Sequence, residues 1–479
     1  MEKIMQNKTL VMKFGGTSVG SADALVKAVQ IIRDAKKDWA RVVVVTSAMA
    51  GVTNLLIDSA ASASQGKLDA LPNAESSLRE KHFAAADKLI EDEKFREETK
   101  AEINELILSL VDLCKAIAVL GEASPRAMDA VASLGERMSV RLLSAVVNDA
   151  GIKAKAIEST EFIVTNAHHQ SAHPDFKSTT EKARQCLNPL MDSGIIPITT
   201  GFIGATPEGA ITTLGRGGSD YSAAIIGKVL PADDVWIWTD VDGIMTTDPR
   251  VVKEAQTLPE ITYNEVAELA YYGAKVLHPK TIRPVVEAGI GLRICNTFNP
   301  SHPGTRLIAN SPTNGETHNA EKVIRAVTAI RNQRLVTIEG RGMLGVPGVA
   351  ARAFAAVAST GTSVPLITQA SSEQSICFAV PSESSQPVLS ALQNVFAGEI
   401  EDEDIDRVWM TEDVSIITVV GVGMRHTPGV AGQVFSQLGN HKANVLAIAQ
   451  GSSEVSISMV VAAKDTELAV KALHELIVK

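Results

Sequence analysis

The chain of 479 residues has few aromatics. Phe, Trp and Tyr together make 4% of it, so its cores must be packed from Ala, Val, Ile and Leu. Cysteine is scarce as well. Cys114, Cys186, Cys295 and Cys377 are scattered, with no CxxC pair and no adjacent histidine pattern. That excludes a disulfide-built scaffold and a cysteine zinc module, and leaves reduced thiols in a cytoplasmic protein as the expectation. Basic charge is not in surplus: 45 Lys and Arg stand against 55 Asp and Glu, a net charge of −10. Without a basic block the chain is a poor partner for nucleic acid. An anionic substrate would need local positive groups that overcome the overall field. No apolar run is long enough to span a bilayer, and Met1 to Lys8 is polar without a signal-peptide core. A GxxxxGK[ST] loop is also missing, so the usual P-loop is excluded.

What is present is a pair of glycine-rich turns far apart in sequence, Lys13-Phe14-Gly15-Gly16-Thr17-Ser18 and Leu214-Gly215-Arg216-Gly217-Gly218-Ser219-Asp220-Tyr221. Each joins an expected strand to an expected helix and places backbone N–H groups, hydroxyls and one long cation at a helix mouth. That chemistry holds anions, phosphate above all. Two such turns suggest a phosphate donor and an anionic acceptor held face to face.

The first 300 or so residues alternate β-rich runs with helical patterns. Strands are expected at Thr9–Phe14, Arg41–Ser47, Lys153–Glu158, Ile195–Ile203 and Val235–Thr239. The unbroken valines 42–45 suit a strand buried on both faces. Leu25, Ala28, Val29 and Ile32 fall at helical spacing, and residues 75–120 read as an inserted α-hairpin. Residues 299–320 carry turn and linker chemistry, which marks a domain boundary. Beyond it the chain repeats itself. Gly342-Met343, Pro347-Gly348-Val349-Ala350, Phe354, Gln369 and Ser371-Ser372-Glu373 match Gly423-Met424, Pro428-Gly429-Val430-Ala431, Phe435, Gln450 and Ser452-Ser453-Glu454 in constant register. Each copy reads as a βαββαβ unit.

Gly340-Arg341-Gly342-Met343-Leu344-Gly345 is formally a dinucleotide fingerprint. However, Val346 to Ser372 contains no acidic residue for a ribose, and the repeat lacks the third glycine. A dehydrogenase is therefore not expected.

Several residues could bear chemistry. Lys13 is either a phosphate-contacting cation or a plain strand-end lysine. Arg216, between two glycines, reads as an accessible carboxylate fork, while Ser219 and Asp220 could simply cap the helix Ser222–Val229. Glu136 by pattern alone is a solvated helix glutamate. Asp240, Asp242 and Asp248 lack calcium-loop spacing and read as turn residues, some near a nucleotide. His168, His169 and His173 read as a solvated loop, and no metal site is expected.

The motifs KFGGTSVG (13–20), SLGERMS (133–139), TTLGRGGSDYSA (212–223), WTDVDGIMTTDPR (238–250) and GAKVLHPKTI (273–282) resemble the aspartate kinases. The repeated tail, with LITQASSE and AIAQGSSE, resembles their tandem ACT domains, most of all in threonine-responsive members. The resemblance runs from about Thr9 to the C-terminus. It implies an α/β fold with an amino-acid-kinase-like three-layer αβα catalytic domain over 1–305 and two ferredoxin-like ACT domains at 322–398 and 409–479. It also implies transfer of phosphate from ATP, with magnesium, to the side-chain carboxylate of L-aspartate. By motif, Lys13 would contact the transferring phosphoryl group and Asp220 would organise the catalytic site. Ser47, Thr53, Glu136, Arg216 and Ser219 would hold aspartate, Arg216 on the α-carboxylate and Glu136 on the ammonium. Lys13, Gly15, Gly16, Thr239, Asp240, Met245, Arg250 and Lys275 would line the ATP site. Met245 stands where the family often has tyrosine. Ser363, Gln369, Asn444 and Gln450 would bind a regulatory amino acid, threonine or lysine, at an ACT–ACT interface of a homodimer or larger assembly.

Overall fold

The computed structural model describes residues 8–273, 277, 279–308, 323–343, 346–369, 374–424, 426–450 and 455–478. They fall into two compact units. One is Met1–Ile244 with Pro259–Tyr263 and Leu277–Ala309; the other is Met245–Leu258 with Asn264–Val276 and Asn310–Lys479.

The first unit begins with β1 (Thr9–Phe14), α1 (Ala22–Asp38) and β2 (Arg41–Thr46). Four helices follow: α2 (Val52–Ser64), α3 (Leu71–Leu89), α4 (Glu93–Leu120) and α5 (Pro125–Asp149). Then come β3 (Ala154–Ile157), α6 (Phe176–Asp192), β4 (Ile196–Thr200), β5 (Ile203–Ala205), β6 (Ile211–Thr213), α7 (Gly218–Val229), β7 (Asp234–Thr239) and β8 (Glu260–Thr262). After α8 (Tyr263–Tyr271), nearly all of which belongs to the second unit, α9 (Pro279–Glu287), β9 (Gly291–Asn296) and β10 (Thr305–Ile308) complete it. Eight strands form one sheet in the order β3-β4-β2-β1-β7-β9-β10-β8, parallel except between β9 and β10. The central strands are covered on both faces, as their continuous apolar runs require. Leu10, Met12, Phe14, Val42 and Val44 join α1 to α5 in one core. On the other face α7 packs on β1, β7, α6 and α9. This is a three-layer αβα fold. The helical hairpin of α3 and α4 is real, but it packs on α2 and α5 as part of one layer.

The single strand expected over Ile195–Ile203 is two. Phe202 adopts φ 65°, which breaks the extended run, and β5 leaves the sheet to pair with β6.

The second unit carries β11 (Ala326–Glu339), α10 (Val349–Ser359), β12 (Leu366–Gln369), β13 (Ser375–Pro381), α11 (Ser385–Val395), α12 (Ala397–Glu401) and β14 (Arg407–Met410). It continues with β15 (Val414–Val420), α13 (Val430–Asn440), β16 (Val445–Ala449), β17 (Ser456–Ala462) and α14 (Thr466–Val478). Each repeat builds a four-stranded antiparallel sheet, ordered β12-β13-β11-β14 and β16-β17-β15-β11. The long β11 serves both. Its first half pairs with β15, its second with β13 and β14, and the register shifts between Ile330 and Gln333, where Asn332 takes φ 56°. The closing strand of the second repeat therefore precedes the first repeat in sequence. Alternation sorts the faces. Val336, Ile338, Phe378 and Val380 meet α10 and α11; Ile417, Val419, Met459 and Val461 meet α13 and α14. Their neighbours Leu335, Leu366, Ala379, Val414, Ile416 and Val460 form a third core, so the two helix-free faces pack on each other. Of the dinucleotide-like glycines, Gly340 and Gly342 pack within the first repeat, against the 404–406 segment that leads into β14. A Cβ on Gly340 would lie 2.4 Å from the Asp404 carbonyl oxygen.

Candidate active site

Lys13 is the penultimate residue of β1, hydrogen-bonded in the sheet between β2 and β7. Its side chain is nearly buried, and its Nζ stands 2.6 Å from Asp220 Oδ1 in the first turn of α7. Positions 13 and 220 thus converge. The turn before α7 explains the glycines around Arg216. Gly215 and Gly217 take φ 80° and 70°, a left-handed backbone that favours glycine, and Gly217 occupies the N-cap with no side-chain cap bond. The helix accordingly starts at Gly218, four residues before the expected Ser222, and Ser219 and Asp220 lie inside its first turn, where the helix dipole favours a carboxylate. Arg216 is exposed on the turn.

Helix α5 brings the second carboxylate. A Cβ on Gly135 would sit 2.8 Å from Ala48 Cβ and 3.2 Å from Val52, so only glycine lets α5 pack this closely against the segment after β2. The next residue, Glu136, is only 3% exposed. Its Oε1 accepts the Ala48 N–H at 3.2 Å, and its Oε2 has no partner. Burial lifts this carboxyl to about 8, opposed by the Ala48 N–H. Far from a solvated helix glutamate, it is a buried acid with a free oxygen.

These groups line one cavity of about 680 Å³. Lys13, Ser47, Thr53, Glu136, Arg216, Ser219 and Asp220 all face it, with Ile57, Met128, Ala132 and Phe202 as apolar wall. Gly15, Gly16, Thr239 and Asp240 lie at the carboxyl ends of the paired strands β1 and β7 and do not line the cavity. The Gly15 N–H is taken by the Trp238 carbonyl at 3.1 Å, and Thr239 Oγ1 donates to Asp240 at 3.2 Å. Met245 and Arg250 belong to the second unit. There Met245 Sδ accepts from Thr257, and Arg250 pairs with Asp248 at 2.6 Å. Lys275 lies outside the described residues. In the second unit, Ser363, Gln369, Asn444 and Gln450 are exposed. Gln369 ends β12, Asn444 and Gln450 flank β16, and these two strands lie against each other. The segments Ser371-Ser372-Glu373 and Ser452-Ser453-Glu454 lie outside the described residues.

One cavity residue carries no sequence signal of its own, and one histidine differs from its expected setting. Asp129, also on the cavity wall, is 1% exposed and accepts from Thr213 Oγ1 at 2.6 Å and from the Gln170 N–H at 3.1 Å. It stands seven residues before Glu136, two helical turns along the same face, and that spacing was the available signal. His169 is not a solvated loop residue: its Nδ1 lies 2.7 Å from Asp129 Oδ2, whereas His168 and His173 are exposed. Among the described residues no cluster of three or more metal-ligating groups occurs.

Comparison with known proteins decides the family. The model of the "Amino acid kinase family" matches residues 8–296, and an ACT domain model matches residues 336–396 and 417–476. Lysine-sensitive aspartokinase 3 of Escherichia coli is 35% identical over 98% of this chain and 99% of its own length. The chain belongs to the aspartokinases of the amino acid kinase family. Crystal structures of E. coli aspartokinase III, one with aspartate and ADP (R-state) and one with lysine and aspartate (T-state), match it at TM-score 0.79 and 33% identity. They cover 98% and 99% of this chain respectively, and 100% of the solved chains. The bifunctional aspartokinase/homoserine dehydrogenase of Daucus carota is 38% identical over 97% of this chain. This aspartokinase chain spans about half the length of that relative and its plant counterparts. Among the described residues no helix is long and apolar enough to cross a membrane.

Proposed function

We propose that the chain is an aspartate kinase, converting ATP and L-aspartate to ADP and 4-phospho-L-aspartate, the entry to lysine, threonine and methionine biosynthesis. The observation that carries this reading is the single cavity shared by Lys13, Arg216, Asp220 and the unpartnered oxygen of Glu136. The substrate's two ends ask for those groups. The exposed Arg216 fork takes the α-carboxylate, with Ser47, Thr53 and Ser219 as hydroxyl donors. The free Glu136 oxygen takes the ammonium. The nucleophile is already a carboxylate and needs no general base; the barrier is the mutual repulsion of two anions. Lys13 offsets that repulsion at the transferring phosphoryl group, and Asp220 holds Lys13 in place.

ATP would sit at the carboxyl ends of β1 and β7, on Gly16, Thr239 and Asp240, with Gly15 shaping the turn. The assignments of Met245, Arg250 and Lys275 to the nucleotide rest on their motifs. Magnesium would fit such a site as a companion of the nucleotide phosphates, held by one or two carboxylates; Asp220, beside Lys13 on the cavity wall, could serve as one, and the ion would neutralise phosphate charge. Ser363, Gln369, Asn444 and Gln450 would bind a regulatory lysine or threonine, with the enzyme assembled as a cytoplasmic homodimer or larger oligomer.

The test is ATP turnover with aspartate and glutamate side by side, the acyl phosphate being trapped by hydroxylamine. Hydroxamate should form with aspartate and far less with glutamate. No hydroxamate from aspartate overturns the reading.

A further inference from the structure

Asp129 has no part in the scheme above, yet it is the most fully satisfied charged group on the cavity wall. Its Oδ1 accepts Thr213 Oγ1 at 2.6 Å and the Gln170 N–H at 3.1 Å. Its Oδ2 accepts the same N–H at 3.1 Å and faces His169 Nδ1 at 2.7 Å. A buried carboxylate is expensive unless charge-assisted bonds satisfy it, and here they come from two segments distant in sequence. Both segments shape the Arg216 turn. Thr213 ends β6, three residues before Arg216. Gln170 holds φ 65°, a strained backbone for a side chain of its size, and its carbonyl oxygen would lie 3.0 Å from a Cβ on Gly215. The strained Gln170 thus forms the surface against which the glycine turn rests, and Asp129 holds it there.

We propose that Asp129 is a positioning residue for the substrate α-carboxylate. It clamps the 169–170 segment and the end of β6 so that Arg216 is presented to the cavity, without itself touching the substrate. The proposal rests on the reading of the cavity as the aspartate site. It predicts a loss confined to one substrate. Removing the clamp frees the Arg216 turn, whereas Lys13 is fixed independently by β1 and α7.

The experiment is steady-state kinetics with aspartate and ATP varied separately for the intact chain and for Asp129→Ala, Asp129→Asn and His169→Ala. Asp129→Ala should raise the KM for aspartate by about tenfold or more, with the KM for ATP within about twofold of the parent. Asp129→Asn retains an acceptor for Thr213 and Gln170 and should recover most of that loss. His169→Ala alters no cavity-lining side chain and removes one donor, so it should raise the aspartate KM by a few-fold. It also serves if Asp129→Ala does not fold. An unchanged aspartate KM in either alanine variant, or an equal rise for both substrates, overturns the proposal. If the unmodified chain forms no acyl phosphate from aspartate, the underlying assignment has failed instead, which separates the two.

Discussion

Lys13 and Glu136 meet the same cavity with opposite electrostatic problems. Lys13 is matched: Asp220 stands 2.6 Å away and holds the cation at the cavity, where the proposed reaction would bring two anions together. Lys13→Ala should lower turnover by orders of magnitude while the circular dichroism spectrum and melting temperature stay near the parent's; near-normal turnover would remove Lys13 from the mechanism. Glu136 is unmatched until a ligand arrives. Burial raises its carboxyl from 4.5 to about 8, so at neutral pH the ligand-free protein holds a proton there that the unfolded chain does not. Stability of the free enzyme should therefore decline as pH rises from 4.5 towards 8, and Glu136→Gln should flatten that slope. An ammonium group beside Glu136 favours the ionised form, so aspartate binding at pH 7 should release close to one proton. Calorimetric titrations in two buffers of different ionisation enthalpy measure this. Binding heat independent of buffer would show that the ammonium does not meet Glu136.

At the scale of elements, glycine decides how closely helices approach the sheet's carboxyl edge. Gly135→Ala would force α5 away from the segment after β2, since its new Cβ would meet Ala48 Cβ at 2.8 Å. A stability loss of about 1–3 kcal/mol is expected from such overpacking. The accompanying loss of the Ala48–Glu136 bond should appear as a raised KM for aspartate; a variant with parental denaturation midpoint and KM would refute the account. The sequence was legible where one periodicity acted alone. β1 falls on Thr9–Phe14 as expected, and the valines of β2 lie buried between two strands. It misled where a backbone conformation overrode a side-chain signal. Serine and aspartate look like caps, but the left-handed Gly217 takes the cap and leaves Asp220 for Lys13. Asp129 was missed because its partners come from β6 and the 169–170 segment, and no local pattern announces a contact across 40 or more positions.

At the scale of the whole molecule, the repeat could be counted from sequence, but its closure could not. Both copies run strand, helix, strand, strand, helix in order, but only the first is followed by a closing strand of its own, β14; the second takes its last strand from the first half of β11, because strand pairing is chosen by face and register and not by chain order. The consequence is mechanical. The two copies share a continuous strand, bury their helix-free faces against each other and bring β12 alongside β16. An amino acid captured at Gln369 or Gln450 would therefore act on a double unit, not on one copy alone. Lysine and threonine tested separately should reveal at least one inhibitor of aspartate phosphorylation. Gln369→Ala and Gln450→Ala should each raise its half-inhibitory concentration, by about tenfold where a buried hydrogen bond to the effector is lost. Because the copies are joined through β11, the double variant should depart from the product of the two single effects, the signature of coupled positions. Strictly multiplicative effects would mean that the two glutamines act independently, and indifference to both amino acids would remove the sensor role.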